Sequence, residues 1–316
     1  MRSVTLLDTA TASTNLGDQI IMEAVRREID ELCPDAFQYS IVSHEWMGAR
    51  SRRLLQRSDV AIVGGSNLLS SRMWFKPLWK ISPAAAIRRS EIVLMGCGWY
   101  QYQSPADLYS RLLLKRLLSR RYLHAVRDSQ ALRMLTAAGI ANVINTGCPT
   151  LWTLTPERCT AVPSRKAGSV VTTLNTYIKD RHLDRELLTT LRARYDRVFF
   201  WTQTEEDSAY ARELDPGLVF LRPSLAAFDA LLQSEPDLDY VGNRLHAGIR
   251  ALQFGRRSII VEIDNRARAM GEDIDLPTVE RGDMARLIRM IEAPFETRLN
   301  LPFDAIERWR AQFRLA

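Results

Sequence analysis

Asp239-Tyr240-Val241-Gly242-Asn243-Arg244-Leu245-His246-Ala247-Gly248-Ile249-Arg250-Ala251-Leu252 reads as one strand–turn–helix unit. The short apolar run Asp239–Val241 suits a buried strand, and Gly242 permits a tight turn. Leu245, Ile249 and Leu252 then share one helix face, which argues for a helix packed on a sheet. Arg244 and His246 are two residues apart and diverge by ~200° on a regular helix. Both reach one ligand only if Arg244 sits in the turn that precedes the helix. An arginine, an imidazole and free helix N–H groups, with Asn243 beside them, would then converge on an anion. A lone histidine is more often structural, and that reading of His246 stays open.

The same rhythm extends in both directions over the 316 residues. Before residue 150 the spacing predicts strands at Ser3–Leu7, Phe37–Val42, Asp59–Val63, Ile92–Met95, His124–Val126 and Val143–Asn145. Helices are expected between them at Asp18–Glu31, Pro83–Arg89, Ala106–Leu118 and Ser129–Ala138, the last stopped by Gly139 as its C′ residue. Residues 156–168, rich in polar residues with Pro and Gly, read as a linker. A second alternation follows. Its strands are expected at Val170–Thr173, Arg197–Trp201, Leu218–Leu221, Asp239–Val241 and Ser258–Ile263, and its helices at Asp184–Arg194, Glu205–Glu213, Leu225–Gln233, Leu245–Phe254 and Met284–Ile291. The expected fold class is α/β, with two Rossmann-like lobes of parallel sheet, 1–155 and 169–301, facing a cleft, and a C-terminal helix in 302–316.

Composition narrows the function classes. The chain is 46% hydrophobic and 25% charged, which excludes disorder, collagen-like repeats and coiled coil. Apolar runs such as Ile92–Met95 are too short to span a membrane, and Asp8 interrupts the first apolar run before a signal peptide forms, so a cytoplasmic location is expected. Cys33, Cys97, Cys148 and Cys159 lack metal-ligand spacing and are expected as reduced thiols. The net charge of +6 is carried mostly by arginine, which suits carboxylate and phosphate ligands, although a GC-rich genome explains the bias equally well. The arginines are scattered rather than striped, which disfavours nucleic acid as a partner.

Four further loops could carry chemistry. Thr14-Asn15-Leu16-Gly17-Asp18 follows the first strand and opens a helix, where Asn15 and Asp18 add polar reach and Gly17 permits close backbone approach. Asp18 as a mere helix cap is the competing reading. The Rossmann fingerprint G-x-G-x-x-G is absent, which disfavours NAD. Gly64-Gly65-Ser66-Asn67 and Gly96-Cys97-Gly98-Trp99 put glycine at strand ends, as a cleft-lining loop or a plain tight turn would. Arg127-Asp128-Ser129 would aim Arg127 at the cleft mouth, unless Arg127 is a surface residue beside a cap.

Together these residues resemble the polysaccharide pyruvyl transferases. The resemblance rests on Asn15-x-Gly17-Asp18, the Gly64-Gly65 loop, Arg127-Asp128-Ser129 with Leu132 and Gly139, Arg244-Leu245-His246-Ala247 with Ala251 and Gly255, and Ile259–Arg266. It implies two lobes like those of GT-B glycosyltransferases, and transfer of pyruvate from phosphoenolpyruvate to a hexose of a surface polysaccharide or its precursor as a ketal. The resemblance assigns donor binding to Arg127, Arg244, Leu245 and His246. The N-terminal lobe is then expected to bind the acceptor and the C-terminal lobe the donor. Cys148-Pro149 stands where the family often has Asp-Pro, and Arg266 where it has lysine.

On this reading His246 and Asp18 are the catalytic candidates. Arg244, Leu245, Arg127, Asn15, Gly17, Gly65, Ser66 and Asn243 are the substrate-binding ones, and no cofactor or metal is called for. The expected partners are phosphoenolpyruvate and a saccharide acceptor, a lipid-linked one included. Segments 72–80 and 111–121 interleave cations with apolar residues and suit peripheral contact with the inner face of a membrane. Two other readings compete. A nucleotide-sugar GT-B glycosyltransferase would use Glu272 and Glu280, which have the right spacing but follow rather than precede Ala251, Gly255 and Ile259. A non-catalytic glycan-binding relative would explain Cys148.

Overall fold

Alternation within single strands decides the architecture of the first half. In Val60–Gly64, Val60 and Ile62 join one apolar cluster while Ala61 and Val63 join another. Ile92–Met95 divides the same way, with Ile92 and Leu94 on one face and Val93 and Met95 on the other. Successive side chains point to opposite faces of a strand, so a sheet with two apolar faces must be covered on both. The computed structural model, which describes residues 3–81 and 91–314, shows that sheet.

Two compact units emerge. The first gathers Met1–Ser13, Ile21–Trp152 and Leu301–Ala316, and the second gathers Thr14–Ile20 and Thr153–Asn300. In the first, β1 (Ser3–Asp8), β2 (Phe37–Val42), β3 (Val60–Gly64) and β4 (Ile92–Met95) form a parallel sheet in the order β2-β1-β3-β4. β5 (His124–Val126) and β6 (Val143–Asn145) pair in parallel beside it. Gly96 N donates to Ala125 O at 2.9 Å, and Leu94 N donates to His124 Nδ1 at 3.2 Å, tying β4 to β5. The helices are α1 (Leu16–Leu32), α2 (Ala49–Arg57), α3 (Leu108–Leu117) and α4 (Ser129–Ala137). Asp128 caps α4 through Ala131 N, and Gly139 follows it with φ +85°.

The second unit carries β7 (Ser169–Thr172), β8 (Arg197–Phe200), β9 (Val219–Phe220), β10 (Leu238–Gly242), β11 (Ser258–Glu262) and β12 (Thr278–Glu280). All are parallel, in the order β12-β11-β10-β7-β8-β9. The chain steps outward from β7 to one side and from β10 to the other. This reversal between neighbouring strands is where open α/β sheets bind ligands, at the strand C-termini. The connecting helices are α5 (Pro156–Thr160), α6 (Arg181–Arg192), α7 (Glu205–Leu214), α8 (Leu225–Ser234), α9 (Leu245–Gln253), α10 (Asn265–Ile274) and α11 (Met284–Glu292). α9 sits close on the sheet: a Cβ on Gly248 would lie 2.5 Å from Ile260 Cγ1, so only glycine fits.

The last helix, α12 (Phe303–Arg314), belongs with the first unit. Ile306, Trp309 and Phe313 are buried with the Val4 and Val60 cluster, and the Trp309 ring meets Trp152 edge-on at 5.5 Å. Burying three such side chains contributes roughly 5–9 kcal/mol as an upper bound. Arg310 Nε and Nη2 donate to Glu28 at 2.9 and 2.8 Å.

The strand–helix alternation read from the sequence is the one observed, with differences in detail. Helices α2 and α10, the short α5 within the expected linker, and strand β12 were not anticipated. α2 buries only Leu55 and carries no readable apolar stripe. The helix expected at Pro83–Arg89 lies outside the described residues. Residues 14–20 join the second unit although the chain on either side belongs to the first, which no linear division of the sequence expresses.

Candidate functional site

At the C-terminal end of β10 the backbone turns sharply. Arg244 is the residue before α9, with φ −101° and ψ 102°, so it precedes the helix as the two-residue spacing to His246 requires. Three groups hold the turn. Asn243 N donates to Thr173 O and Arg244 N to Thr173 Oγ1, each at 3.3 Å, while Tyr240 OH donates to Arg244 O at 2.8 Å. Burial pushes the Tyr240 phenol above its ordinary pKa, so it stays neutral as this donor.

The Arg244 side chain is buried, and it is not held out to solvent. Its Nε donates to Leu174 O at 3.1 Å, and its Nη2 donates to Asp207 Oδ1 and Oδ2 at 2.6 and 2.5 Å. Its Cζ lies 5.1 Å from the centre of the Tyr177 ring. Among the described residues, all its hydrogen bonds run through Nε and Nη2, which leaves Nη1 as the edge for a further acceptor. Asp207 is fully buried. It also accepts from Thr204 N at 3.1 Å and from Thr176 Oγ1 at 2.9 Å.

The N-terminus of α9 has no side-chain cap. Beside it Asn243 is 3% exposed, and among the described residues neither its Oδ1 nor its Nδ2 has a hydrogen-bond partner. Among the described residues such atoms occur in several parts of the molecule, and those nearest this turn in the sheet are Thr172 Oγ1 at the end of β7 and Gln203 Nε2 just beyond β8. β10, β7 and β8 are adjacent, so these groups lie along one C-terminal edge of the sheet. A buried polar group without a partner costs about 1–3 kcal/mol, and a helix N-terminus attracts an anion. The edge is therefore suited to a small anionic ligand with several acceptor oxygens.

The Asn15–Asp18 loop meets this edge. Leu16 N donates to Gln203 O at 2.9 Å, and a Cβ on Gly17 would lie 3.1 Å from Gln203 Nε2. Asn15 Oδ1 accepts from Gly17 N at 3.0 Å, so Asn15 rather than Asp18 makes the turn-closing bond at the start of α1. Asp18 lies in the first turn of α1 and acts on Arg266. Burial disfavours the Arg266 charge, but Asp264, Asp18 and Tyr177 together raise its pKa above the ordinary value. Arg266 Nε and Nη2 fold back onto Asp264 at 2.8 and 2.6 Å. His246 is buried in the first turn of α9.

Asn15, Gly17, Asp18, Asn243, Arg244, Leu245 and His246 thus belong to the second unit, while Gly65, Ser66 and Arg127 belong to the first. Gly65 and Ser66 have φ of +60° and +62°, and a Cβ on Gly65 would lie 2.4 Å from Ile21 Cγ2. Arg127 does not project from its loop. It is 2% exposed, donating through Nη2 to Asn67 Oδ1 at 2.6 Å and through Nε to Asp128 Oδ2 at 3.3 Å. A Cβ on Gly98 would lie 2.2 Å from Arg127 Nη2, so the guanidinium fills that space.

Cys148 is fully buried, and burial raises its thiol pKa, so it offers no carboxylate-like group near Arg127. Glu272 and Glu280 line a surface groove with Arg268 at the β11–β12 side of the sheet. Among the described residues no group of three or more His, Cys, Asp or Glu could hold a metal ion, and no helix is long and apolar enough to cross a membrane. Sequence reasoning missed Asp207, Gln203 and Tyr177. Thr204-x-x-Asp207 is a readable capping-box pattern, but nothing in it points to Arg244.

The family profile described as Polysaccharide pyruvyl transferase matches residues 15–265. No curated protein matches the sequence of this chain. Among solved structures, the chain is similar to E. coli heptosyltransferase WaaC with ADP at 15% identity and a TM-score of 0.45, over 99% of this chain and 100% of that one. It is also similar to UDP-GlcNAc 2-epimerase from Neisseria meningitidis bound to UDP-GlcNAc, at 10% identity and a TM-score of 0.47, over 100% and 93%.

Proposed function

The chain belongs to the polysaccharide pyruvyl transferase family, and from that premise we propose that it moves pyruvate from phosphoenolpyruvate to a hexose of a surface polysaccharide or its precursor. The observation that carries the reading is the row of buried polar atoms on Asn243, Thr172 and Gln203, unpartnered among the described residues, beside the uncapped start of α9. Phosphoenolpyruvate bears a carboxylate and a phosphate on a three-carbon frame, and such an edge matches it better than a neutral sugar. Asn243, the α9 amides and Arg244 Nη1 hold the donor's oxygens. Asp207 fixes the Arg244 plane. Arg127 is reassigned: engaged by Asn67 and Asp128, it shapes the Gly64–Asn67 loop rather than binding the donor.

The chemistry needs two protons removed from sugar hydroxyls, one delivered to the donor carbon and one taken up by the departing phosphate. His246 protonates the methylene carbon of the donor, and the adjacent carbon becomes an oxocarbenium-like centre. A sugar hydroxyl adds there and loses its proton, with Asp18 as the second acid–base group. The C–O bond to phosphate then breaks, and a second hydroxyl of the same sugar adds and loses its proton. The products are the cyclic ketal and inorganic phosphate.

Incubation with phosphoenolpyruvate and a panel of hexosides, followed by mass spectrometry, tests this reading. Appearance of a pyruvyl ketal together with phosphate release is expected. Stabilisation by UDP- or GDP-sugars with none by phosphoenolpyruvate would overturn it.

A further inference from the structure

Residues 71–76 are pinned onto the start of α3. Asp107 N donates to Ser71 O at 3.0 Å, Met73 N to Ser110 Oγ at 2.9 Å, and Trp74 Nε1 to Asp107 Oδ2 at 2.6 Å. The Trp74 and Phe75 rings meet edge to face at 5.7 Å. These bonds hold an apolar group at the surface: Trp74, Phe75, Leu108 and Leu112 are 60, 72, 69 and 59% exposed. Tyr102 and Tyr109 flank them, also exposed. Leu108 and Leu112 stand one turn apart on α3, while Leu113, Leu114 and Leu117 face the core. The segments 72–80 and 111–121 thereby shrink to a smaller face, because Trp79 and Leu118 are core residues as well.

The charge around this face is predominantly positive, with Glu45 paired to Lys80 and Glu91 bonded to Ser119 at its margins. Segments 69–81 and 96–121 contain eight Lys or Arg residues and a single carboxylate, Asp107. That carboxylate is engaged by Trp74 Nε1 and by Ser110 N, as the cap of α3. Arg72, Lys76, Arg111, Arg116, Arg120 and Arg121 are exposed.

We propose that this face docks the protein on an anionic phospholipid bilayer. Trp and Tyr pair an apolar ring with a polar atom and favour the headgroup boundary. Leu108, Leu112 and Phe75 supply apolar area to enter it, and the surrounding cations meet lipid phosphates. A second copy of the chain is a poorer occupant. In a two-fold contact the patch would meet itself and set cations against cations. The proposal does not depend on the donor assigned to the second unit, because it concerns binding alone.

The test is co-sedimentation of the full chain with vesicles of phosphatidylcholine, pure or with one third phosphatidylglycerol. Binding to the anionic vesicles at low salt is expected, weakened at least tenfold by high salt and by the variant Leu108→Glu/Leu112→Glu. Glutamate is a good helix former and is favourable in a first turn, so α3 should persist, with an unchanged urea midpoint as the check. Phe75→Ser, outside the helix, should weaken binding in the same direction. The proposal is overturned by no pelleting with anionic vesicles at low salt, or by equal pelleting of wild type and both variants. Lipid-free self-association that the variants abolish would overturn it too, and would assign the face to a second copy.

Discussion

Replacing Arg244 by alanine leaves Asp207 fully buried without its counter-charge. The carboxylate would keep its bonds from Thr204 N and Thr176 Oγ1 but lose both contacts with Arg244 Nη2. Removing one partner of a buried ion pair costs about 3–5 kcal/mol, a large share of a typical stability of ~5–15 kcal/mol. Asp207→Asn in the same chain removes the stranded charge while its amide oxygen can still accept from Thr204 N. The double variant should therefore recover about 2 kcal/mol relative to Arg244→Ala, a coupling far outside additivity. Arg244→Lys keeps a positive charge but not the Nε bond to Leu174 O, and should cost about 1–2 kcal/mol. The assay is urea unfolding followed by far-UV circular dichroism, comparing midpoints at constant slope. A cost below about 1 kcal/mol for Arg244→Ala, or simple additivity in the double variant, would refute the pairing. The practical consequence is that activity lost in Arg244→Ala does not by itself report on donor contact.

Asn243→Ala removes a side chain whose polar atoms have no partner among the described residues, so its unfolding midpoint should stay the same or rise, while the apparent KM for phosphoenolpyruvate rises at least tenfold; a clear loss of stability would show that Asn243 is structural. His246→Ala should lower kcat at saturating donor by ~10² or more and largely keep donor-induced stabilisation, and near-normal kcat in His246→Gln would disprove the acid–base role. Burial holds His124 at a pKa of about 4 against an ordinary 6.5, with Nδ1 accepting from Leu94 N and Nε2–H therefore donating to Ser119 O. The unfolded chain binds the extra proton between those values, so this contribution is complete above pH 6.5 and falls by about 3 kcal/mol as pH drops to 4. Wild type and His124→Asn compared by urea unfolding across that range should differ in slope, and parallel curves would rule the effect out.

How much of this was legible in the sequence depends on whether a feature is local. The strand–turn–helix at 239–252 announces itself because the glycine, the apolar spacing and the helix start are contiguous. The position of Arg244 before the helix is the condition under which Arg244 and His246 can reach one ligand, and the structure meets it. The partner of Arg244 is not legible there. Asp207 lies 37 residues away on a different helix, and its sequence signal is that of a cap. Arg127 shows the same limit. Its loop follows a strand as expected, but the contacts of its guanidinium with Asn67 and Gly98, which come from two other loops, leave no trace in the local sequence. α2 went unread because one buried leucine in nine residues leaves no periodic trace. Long-range pairing hid the partners of Arg244 and Arg127, and a missing apolar stripe hid α2.

The interleaving of the two units constrains how the chain can be made. Glu28 and Arg310, which bond within the first unit, are 282 residues apart in sequence. During vectorial synthesis the first sheet emerges early, yet the side of it that α12 covers stays open until the ribosome has passed residue 310. The second unit has the converse problem, since its 14–20 segment is tethered early and must wait for β8 and the Gln203 loop. A nascent chain of this kind would expose the Val4, Val60 and Trp152 surface for most of its elongation, which makes the protein a poor candidate for expression as separate halves.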